Sequence, residues 1–139
     1  MGKPCFLPAR SETRPTRAWR VSRPGRIRSE GVVIDGWRFD SKAEGFYYAH
    51  HLKLLLAAGA ILHVDVHPIF RITPEIKWEA DFLVYYPDGK IEVVDVKGFE
   101  MREFKRKERL FNERHPLAPI VKVAADGLHR EMRRNRVKL

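Results

Sequence analysis

Two aspartates and a lysine in neighbouring strand-like runs are the residues of this chain best suited to chemistry. Asp81 ends the run Trp78-Glu79-Ala80-Asp81, and after thirteen intervening residues come Asp95, Val96 and Lys97. An ionised side chain in an apolar run is costly unless a partner compensates it. Two carboxylates that converge beside a lysine can bind a hard divalent cation and present water to a phosphodiester. The spacing therefore favours a metal-dependent nuclease.

Whether these side chains converge depends on the turn between the two runs. Pro87-Asp88-Gly89 predicts a hairpin. A strict two-residue loop would pair Asp81 with Val96, and Asp95 and Lys97 would then point away from Asp81. A one-residue offset, from a longer turn or a bulge, places all three on one face. The nuclease interpretation therefore predicts an irregular hairpin, and the alternative is an ordinary hairpin with solvent-facing acids.

The chemistry assigns a role to each residue if they converge. Asp81 and Asp95 would be ligands of Mg²⁺, which takes carboxylate oxygens and keeps several waters. The carbonyl of Val96 is a further candidate ligand. Lys97 would orient or deprotonate the attacking water, or offset charge in the transition state.

Glu44 has two interpretations. Ser41-Lys42-Ala43-Glu44 matches the capping box, in which the third helical residue reaches back to the backbone before the helix. Alternatively, Glu44 is a third carboxylate near the metal, projecting from the first helical turn.

Charge is segregated along the 139 residues, whose net charge is +9. Residues 1–30 carry a net charge of +6, residues 31–98 a net of −3, and residues 99–139 a net of +6. Basic ends attract a polyanion, which an acidic middle would repel unless a cation sits there. Residues 1–30 also hold four of the nine prolines and are interpreted as a basic arm, followed by one domain over residues 31–139.

The hydrophobic pattern predicts a mixed α/β domain in the order β-β-α-β-β-β-α-β-α. Asp35-Gly36 predicts a first hairpin turn. A helix then runs to Ala58. Residues 61–72 form one or two strands, interrupted at Pro68, and further strands cover residues 76–86 and 90–96. The last elements are a helix over 100–113, a strand over 120–124 and a helix over 127–134. The longest unbroken apolar stretch, residues 54–62, is too short to span a bilayer, so no membrane partner is expected.

The segment from residue 99 to 111 is strongly basic. On a helix Arg102, Lys105, Arg106 and Arg109 share one side, which suits contact with phosphates. The alternative is a solvated helix face interspersed with glutamates. The histidines and the single cysteine lack the spacing of a zinc site.

Taken together, these residues resemble the PD-(D/E)xK nuclease superfamily, with Ala80-Asp81 standing where the family name has Pro-Asp. The likeness extends to a family of small phage and prophage nucleases. It covers about residues 31–124 in an ordered set of motifs. These are Phe39-Asp40-Ser41-Lys42-Ala43-Glu44, His67-Pro68-Ile69-Phe70, Glu79-Ala80-Asp81-Phe82, Val94-Asp95-Val96-Lys97-Gly98 and Phe104-Lys105-Arg106-Lys107. His67 departs from the glutamine of the family pattern, so the role of that position is open.

The resemblance implies a restriction-endonuclease-like core, with a mixed central sheet flanked by helices, and Mg²⁺- or Mn²⁺-dependent cleavage of DNA. It favours Glu44 as an active-site carboxylate beside Asp81, Asp95 and Lys97. It suggests kinship with endonuclease I-type Holliday-junction resolvases, hence a homodimer acting on branched DNA in the cytoplasm of a bacterial or phage-infected cell. The expected phosphate contacts are Lys42, Arg102, Lys105, Lys107 and Arg109.

Three alternatives stay open from the sequence. One is a general DNA nuclease of the same fold. Another is a non-catalytic DNA-binding protein, against which the acid and lysine set argues, because pure binding has no need of acids facing phosphates. The third is an RNA-binding module that uses the arginine-rich arm. Metal dependence of binding and cleavage separates a nuclease from the non-catalytic protein, and tight binding of single-stranded RNA without metal would indicate the RNA-binding module.

Overall fold

The computed structural model describes residues 30–98 and 102–139, and the predicted basic arm before Glu30 lies outside them. Its elements follow in chain order. The strands are β1 Val32–Ile34, β2 Trp37–Phe39, β3 His63–Val66, β4 Ile69–Arg71, β5 Lys77–Glu79, β6 Phe82–Tyr85, β7 Ile91–Lys97 and β8 Ile120–Ala124. The helices are α1 Lys42–Tyr47, a π-helical turn Tyr48–Leu52, α2 Lys53–Ala57, α3 Arg102–Arg114 and α4 Ala125–Arg134.

A four-stranded mixed sheet forms the centre, in the order β3-β6-β7-β8. The β3–β6 and β6–β7 pairs are antiparallel, whereas β7 and β8 run parallel and are joined by a crossover through α3. The predicted mixed α/β class with helices around a mixed sheet is confirmed.

The two faces of the sheet bury separate apolar cores. Period-two alternation along β7 sends Val94 and Val96 to a core shared with α1 and α4, and Val93 to a core shared with α3. Phe104 and Phe111 of α3, seven positions apart and so on one side of the helix, fill that second core. Asp95 and Lys97, which alternate with Val96, therefore lie on the α3 face.

One long hairpin runs through four of the strands and bends in the middle. The pairing of Val66 with Phe82 and of Ile69 with Glu79 belongs to a single unbroken register. The bend falls at His67, whose φ of 54° is left-handed, and at Asp81 across from it. The prediction of one strand over residues 76–86 was wrong, because the backbone changes direction at Ala80-Asp81 to make this bend.

The first hairpin and the first helix pack unusually closely. Asp35 and Gly36 both have positive φ, as a two-residue turn of this kind requires. A Cβ on Gly45 would overlap a methyl of Val32, so glycine lets the hairpin lie against α1. This contact holds the start of α1, and with it Glu44, at one end of the sheet.

The predicted helix ending at Ala58 is interrupted by the π-helical turn, and Gly59 follows it with a φ of 71°. The predicted strand over 120–124 is confirmed, and the last helix begins at Ala125, two residues earlier than predicted. Among the described residues no helix has the length and apolar character needed to cross a bilayer.

Candidate active site at the end of the central hairpin

The bend in the long hairpin leaves a gap in the sheet that the Asp81 side chain fills. Alternation along β7 points the N–H of Val96 toward the β6 side, where Ala80 would be its next backbone partner. The Ala80 N–H, which would donate to the Val96 carbonyl if the ladder continued, donates to the Pro68 carbonyl at 3.0 Å, so Ala80 faces away from β7. The Val96 N–H donates to Oδ2 of Asp81 at 2.5 Å. Asp81 is therefore fixed beside the end of β7.

The turn between β6 and β7 sets the register that the nuclease interpretation requires. The backbone N–H of Tyr86 donates to the Lys90 carbonyl at 2.9 Å, which leaves a loop of three residues. Gly89, the last of the three, has a φ of 85°. Phe82 pairs with Val94. Extended by one residue, this register sets Asp81 opposite Asp95, the one-residue offset that a strict two-residue loop would not give.

Asp95 is almost fully buried, with 1% of its surface exposed. The Lys97 ammonium lies 3.1 Å from its Oδ2, an ion-pair distance, and no other donor among the described residues reaches that oxygen. Burial raises the pKa of Asp95, while the charge of Lys97 and its hydrogen bond, and then the charge of Lys122, oppose the rise. Burying a carboxylate is costly even beside a lysine, so this site is well suited to accept a further cation.

Asp81 is the carboxylate of the cluster whose pKa is raised most. Desolvation, followed by the charge of Glu44, raises its pKa to about 7, and Asp95 adds to the rise. The hydrogen bond from Val96 and the charge of Lys97 act in the opposite direction. Asp81 thus stands within electrostatic reach of both other carboxylates, one contributed by α1 and one by β7.

Glu44 forms a variant of the predicted capping box, in which its carboxylate reaches the N–H of Asp40 and not that of the N-cap residue Ser41. Its Oε2 accepts the backbone N–H of Asp40 at 3.1 Å, and its Oε1 accepts the Ser41 hydroxyl at 2.9 Å. Ser41 in turn accepts the N–H of Glu44 at 3.2 Å. Glu44 is buried, and desolvation raises its pKa. Its role as a metal carboxylate stays a prediction, since both oxygens serve the helix end in this arrangement.

His67, where the nuclease pattern that the sequence resembles has glutamine, lies at the bend. Its ring nitrogen Nε2 lies 2.9 Å from the Arg38 carbonyl, and its backbone N–H donates to the Asp81 carbonyl at 2.9 Å. Its charge, when protonated, lowers the pKa of Glu44. Nothing in the sequence signalled the left-handed backbone at this residue, although the following Pro68 indicated an interruption.

An aromatic ring and a second lysine complete the α3 side of the cluster, and sequence reasoning missed both. The Lys97 ammonium lies 4.4 Å from the centre of the Phe104 ring, and the Lys122 ammonium 5.7 Å from it. Lys122 of β8 is the register partner of Asp95 and forms an ion pair of 3.0 Å with Glu108. The sequence indicates a strand over residues 120–124, but its register with β7 cannot be read from one sequence. The position of Lys122 beside Asp95 therefore could not be predicted.

The predicted phosphate contacts divide between two places. Arg102, Lys105 and Arg109 are exposed on α3, with Arg106 among them, whereas Lys107 is half-buried and does not share their side. Lys42, at the start of α1, forms an exposed ion pair of 3.0 Å with Glu30.

Most of the chain matches a known protein family. Residues 25–125 match the family described as protein of unknown function, DUF1064. The chain belongs to the DUF1064 family. The matched range contains the whole candidate site from Glu44 to Lys122 and ends at the first residue of α4. Neither the curated proteins nor the solved structures contain a match to this DUF1064 chain.

The donor set of this DUF1064 protein fits a magnesium-type ion better than a softer metal. Within residues 30–98 and 102–139, no three His, Cys, Asp or Glu side chains converge into a ready metal cage. Asp81 and Asp95 supply carboxylates, and alternation points the Val96 carbonyl to the same side as its N–H, toward Asp81. One or two carboxylates, with water completing the shell, is the usual protein contribution to Mg²⁺ sites.

Proposed function

We propose that this protein is a divalent-metal-dependent DNA endonuclease with a restriction-endonuclease-like core of the PD-(D/E)xK type. One observation carries the proposal. The three-residue turn and the bend at Asp81 set Asp81 opposite Asp95, and the Lys97 ammonium, at 3.1 Å, is the one close partner of the buried Asp95 Oδ2 among the described residues. Structural stability alone does not call for such an arrangement, because it buries charge at a cost.

Asp81, Asp95 and the Val96 carbonyl would hold Mg²⁺ or Mn²⁺, and Glu44 would join them if its carboxylate left the helix cap. When bound, such an ion polarises a phosphate and lowers the pKa of its water. The protein's own part is to hold the buried carboxylate of Asp95 beside the half-buried one of Asp81. Desolvation first, then the charge of Glu44, with a further part from Asp95, raise the pKa of Asp81, so ionising the cluster is favoured by a bound cation.

Lys97 would act on the attacking water or on charge that develops at the phosphate. The Phe104 ring and the Asp95 carboxylate confine its ammonium, and its side chain is one-third exposed. A lysine held in this way can move a proton or donate hydrogen bonds without large rearrangement.

The basic residues would position the phosphate backbone. Arg102, Lys105 and Arg109 lie on the exposed side of α3, which packs on the same sheet face as Asp95 and Lys97. Lys42 begins the helix that carries Glu44. Backbone contacts of this kind orient DNA without reading its sequence.

Within the nuclease class, a branched-DNA substrate and a homodimer are the first choice, with a general DNA nuclease as the alternative. This preference rests on the likeness to Holliday-junction resolvases, as does the assignment to the cytoplasm of a bacterial or phage-infected cell.

A non-catalytic DNA-binding protein of the same fold is the rival function. The observation that favours it is the engagement of both Glu44 oxygens in the helix cap. The cluster of Asp81, Asp95 and Lys97 weighs against it, because pure DNA binding has no need of clustered acids.

A cleavage assay tests the proposal. The full chain is incubated with four-way junction, flap, linear duplex or single-stranded DNA in Mg²⁺, Mn²⁺ or EDTA. Metal-dependent symmetric nicks at the junction support a dimeric resolvase, and cutting of every substrate supports a general nuclease. Binding without cutting under all conditions would overturn the proposal in favour of the rival.

A further inference from the structure

The outer side of α4 is a basic surface on the sheet face opposite α3. Arg130, Arg133 and Arg134 lie within an arc of about 100° on this helix and are exposed. Arg136 and Lys138 follow directly and are also exposed. We call these five residues the α4 arginine face.

The inner side of α4 is fully used by the fold. Leu128 is buried, and Met132 packs against the same core, on the side of the helix opposite the arginines. The acid Glu131 lies 3.3 Å from His51 of the π-helical turn. Packing against the core therefore does not account for the arginines, which lie on the side that the core leaves free. Arg133 and Arg134, in the last turn, also interact favourably with the helix dipole.

The α4 arginine face has no acidic partner among the residues that the structure describes. Asp126 lies one turn before Arg130, but Arg130 Nε donates to the backbone carbonyl of Asp126, at 3.3 Å, and not to its carboxylate. Four arginines and one lysine at neighbouring positions repel one another, and such a cluster is most stable when a polyanion neutralises it.

We propose that the α4 arginine face binds the phosphate backbone of duplex DNA, as a second contact surface separate from α3. Arginine suits this partner, since its planar fork donates two hydrogen bonds to one phosphate. A membrane surface fits less well, because interfacial helices insert an apolar face and that of α4 is occupied by the core. Only the choice of DNA as the polyanion rests on the proposed function.

Because α3 and α4 pack on opposite faces of the sheet, their basic sides point in different directions. A duplex lying along α3 therefore cannot reach the α4 arginine face without bending around the sheet. The two surfaces would then bind separate duplex segments, or one sharply bent segment.

Binding measurements in EDTA test the proposal independently of cleavage. Fluorescence anisotropy with a labelled duplex compares the full chain with the triple variant Arg130→Ala, Arg133→Ala, Arg134→Ala. We expect binding about tenfold or more weaker, and a slope of log K against log salt that is smaller by about 1 for each phosphate that the variant no longer neutralises. A triple Arg→Lys variant, which keeps the charge, should retain most of the slope.

The matched control removes the same charge elsewhere. Arg71, Lys77 and Lys90 are exposed beside the hairpin turns, and their triple alanine variant should bind almost as the wild type does. An α4 variant that is folded by circular dichroism and binds like this control would overturn the proposal, as would weaker binding to anionic phospholipid vesicles with DNA binding unchanged. If the wild type cleaves no DNA and the α4 variant still binds DNA more weakly, the α4 arginine face is supported as a DNA-binding surface. Only the proposal of nuclease activity is then overturned.

Discussion

The Asp81 carboxylate accepts the backbone N–H of Val96 at the point where the ladder between β6 and β7 ends. The Asp81 side chain thus accepts the hydrogen bond that the Ala80 backbone would have accepted if the ladder had continued. The same bond ties Asp81 to the strand that carries Asp95 and Lys97. The geometry of the candidate site and the termination of the sheet are therefore the same structural feature.

Replacing Asp81 with asparagine should stabilise the metal-free protein near neutral pH. The pKa of Asp81 is about 7 when folded and 3.8 in its ordinary state, so between these values the folded protein holds a proton that the unfolded chain releases. Stability from this group therefore falls as pH rises from about 4 to about 7. The melting temperature in EDTA should be higher for Asp81→Asn at pH 8, by roughly 4 °C per kcal/mol, and converge with the wild type near pH 4. A lower melting temperature at pH 8 would contradict the raised pKa.

The variant Glu44→Gln distinguishes the role of Glu44 in capping α1 from its proposed role as a carboxylate of the active site. Glu44→Gln keeps an oxygen for the helix cap and removes the charge, so chemical denaturation should change the free energy of unfolding by less than about 1 kcal/mol. Ser41→Ala, which removes a capping hydroxyl, should cost about 1 kcal/mol. If Glu44 is also a site carboxylate, Glu44→Gln lowers cleavage while Ser41→Ala does so much less. Equal cleavage by both variants would leave Glu44 with a capping role alone.

Much of this arrangement follows from local sequence. The Asp35-Gly36 turn, the capping box at Ser41 and the strand over 120–124 each depend on signals within a few residues. The bend at His67 and Asp81 does not, because a continuous register with one left-handed residue looks like an ordinary apolar strand in sequence. The approach of Lys122 to Phe104 depends on the register between β7 and β8, which are separated in the chain by the whole of α3. Only the packing of the sheet determines that register.

The β6–β7 turn should require glycine at position 89. Its φ of 85° strains any residue with a Cβ, although no atom lies within 4 Å of that Cβ. Gly89→Ala should therefore destabilise the protein by about 1 kcal/mol through backbone strain alone. Gly127→Ala in α4 is the matched control, since it too meets no neighbour and should stabilise the helix by about 0.5–1 kcal/mol. Urea unfolding of both variants measures this; a stabilised Gly89→Ala would mean that the turn is not the one described.

Removing the Lys97 ammonium should affect rate more than affinity. Lys97→Ala should lower single-turnover cleavage by roughly 10²–10⁴-fold, with the dissociation constant for DNA in EDTA changed less than threefold. Lys77→Ala, an exposed lysine on β5, serves as the control and should change neither quantity much. An effect confined to DNA affinity would make Lys97 a phosphate anchor instead.

The most direct test of the central claim is the cleavage rate of Asp95→Asn in Mg²⁺, measured beside Asp88→Asn. Both variants make the same chemical change on one hairpin, but Asp88 lies in the exposed turn at the far end. We expect Asp95→Asn to lower metal-dependent cleavage by at least roughly 100-fold while DNA binding is kept or strengthened, and Asp88→Asn to cleave like the wild type. Cleavage by Asp95→Asn at the wild-type rate would contradict the assignment of the site.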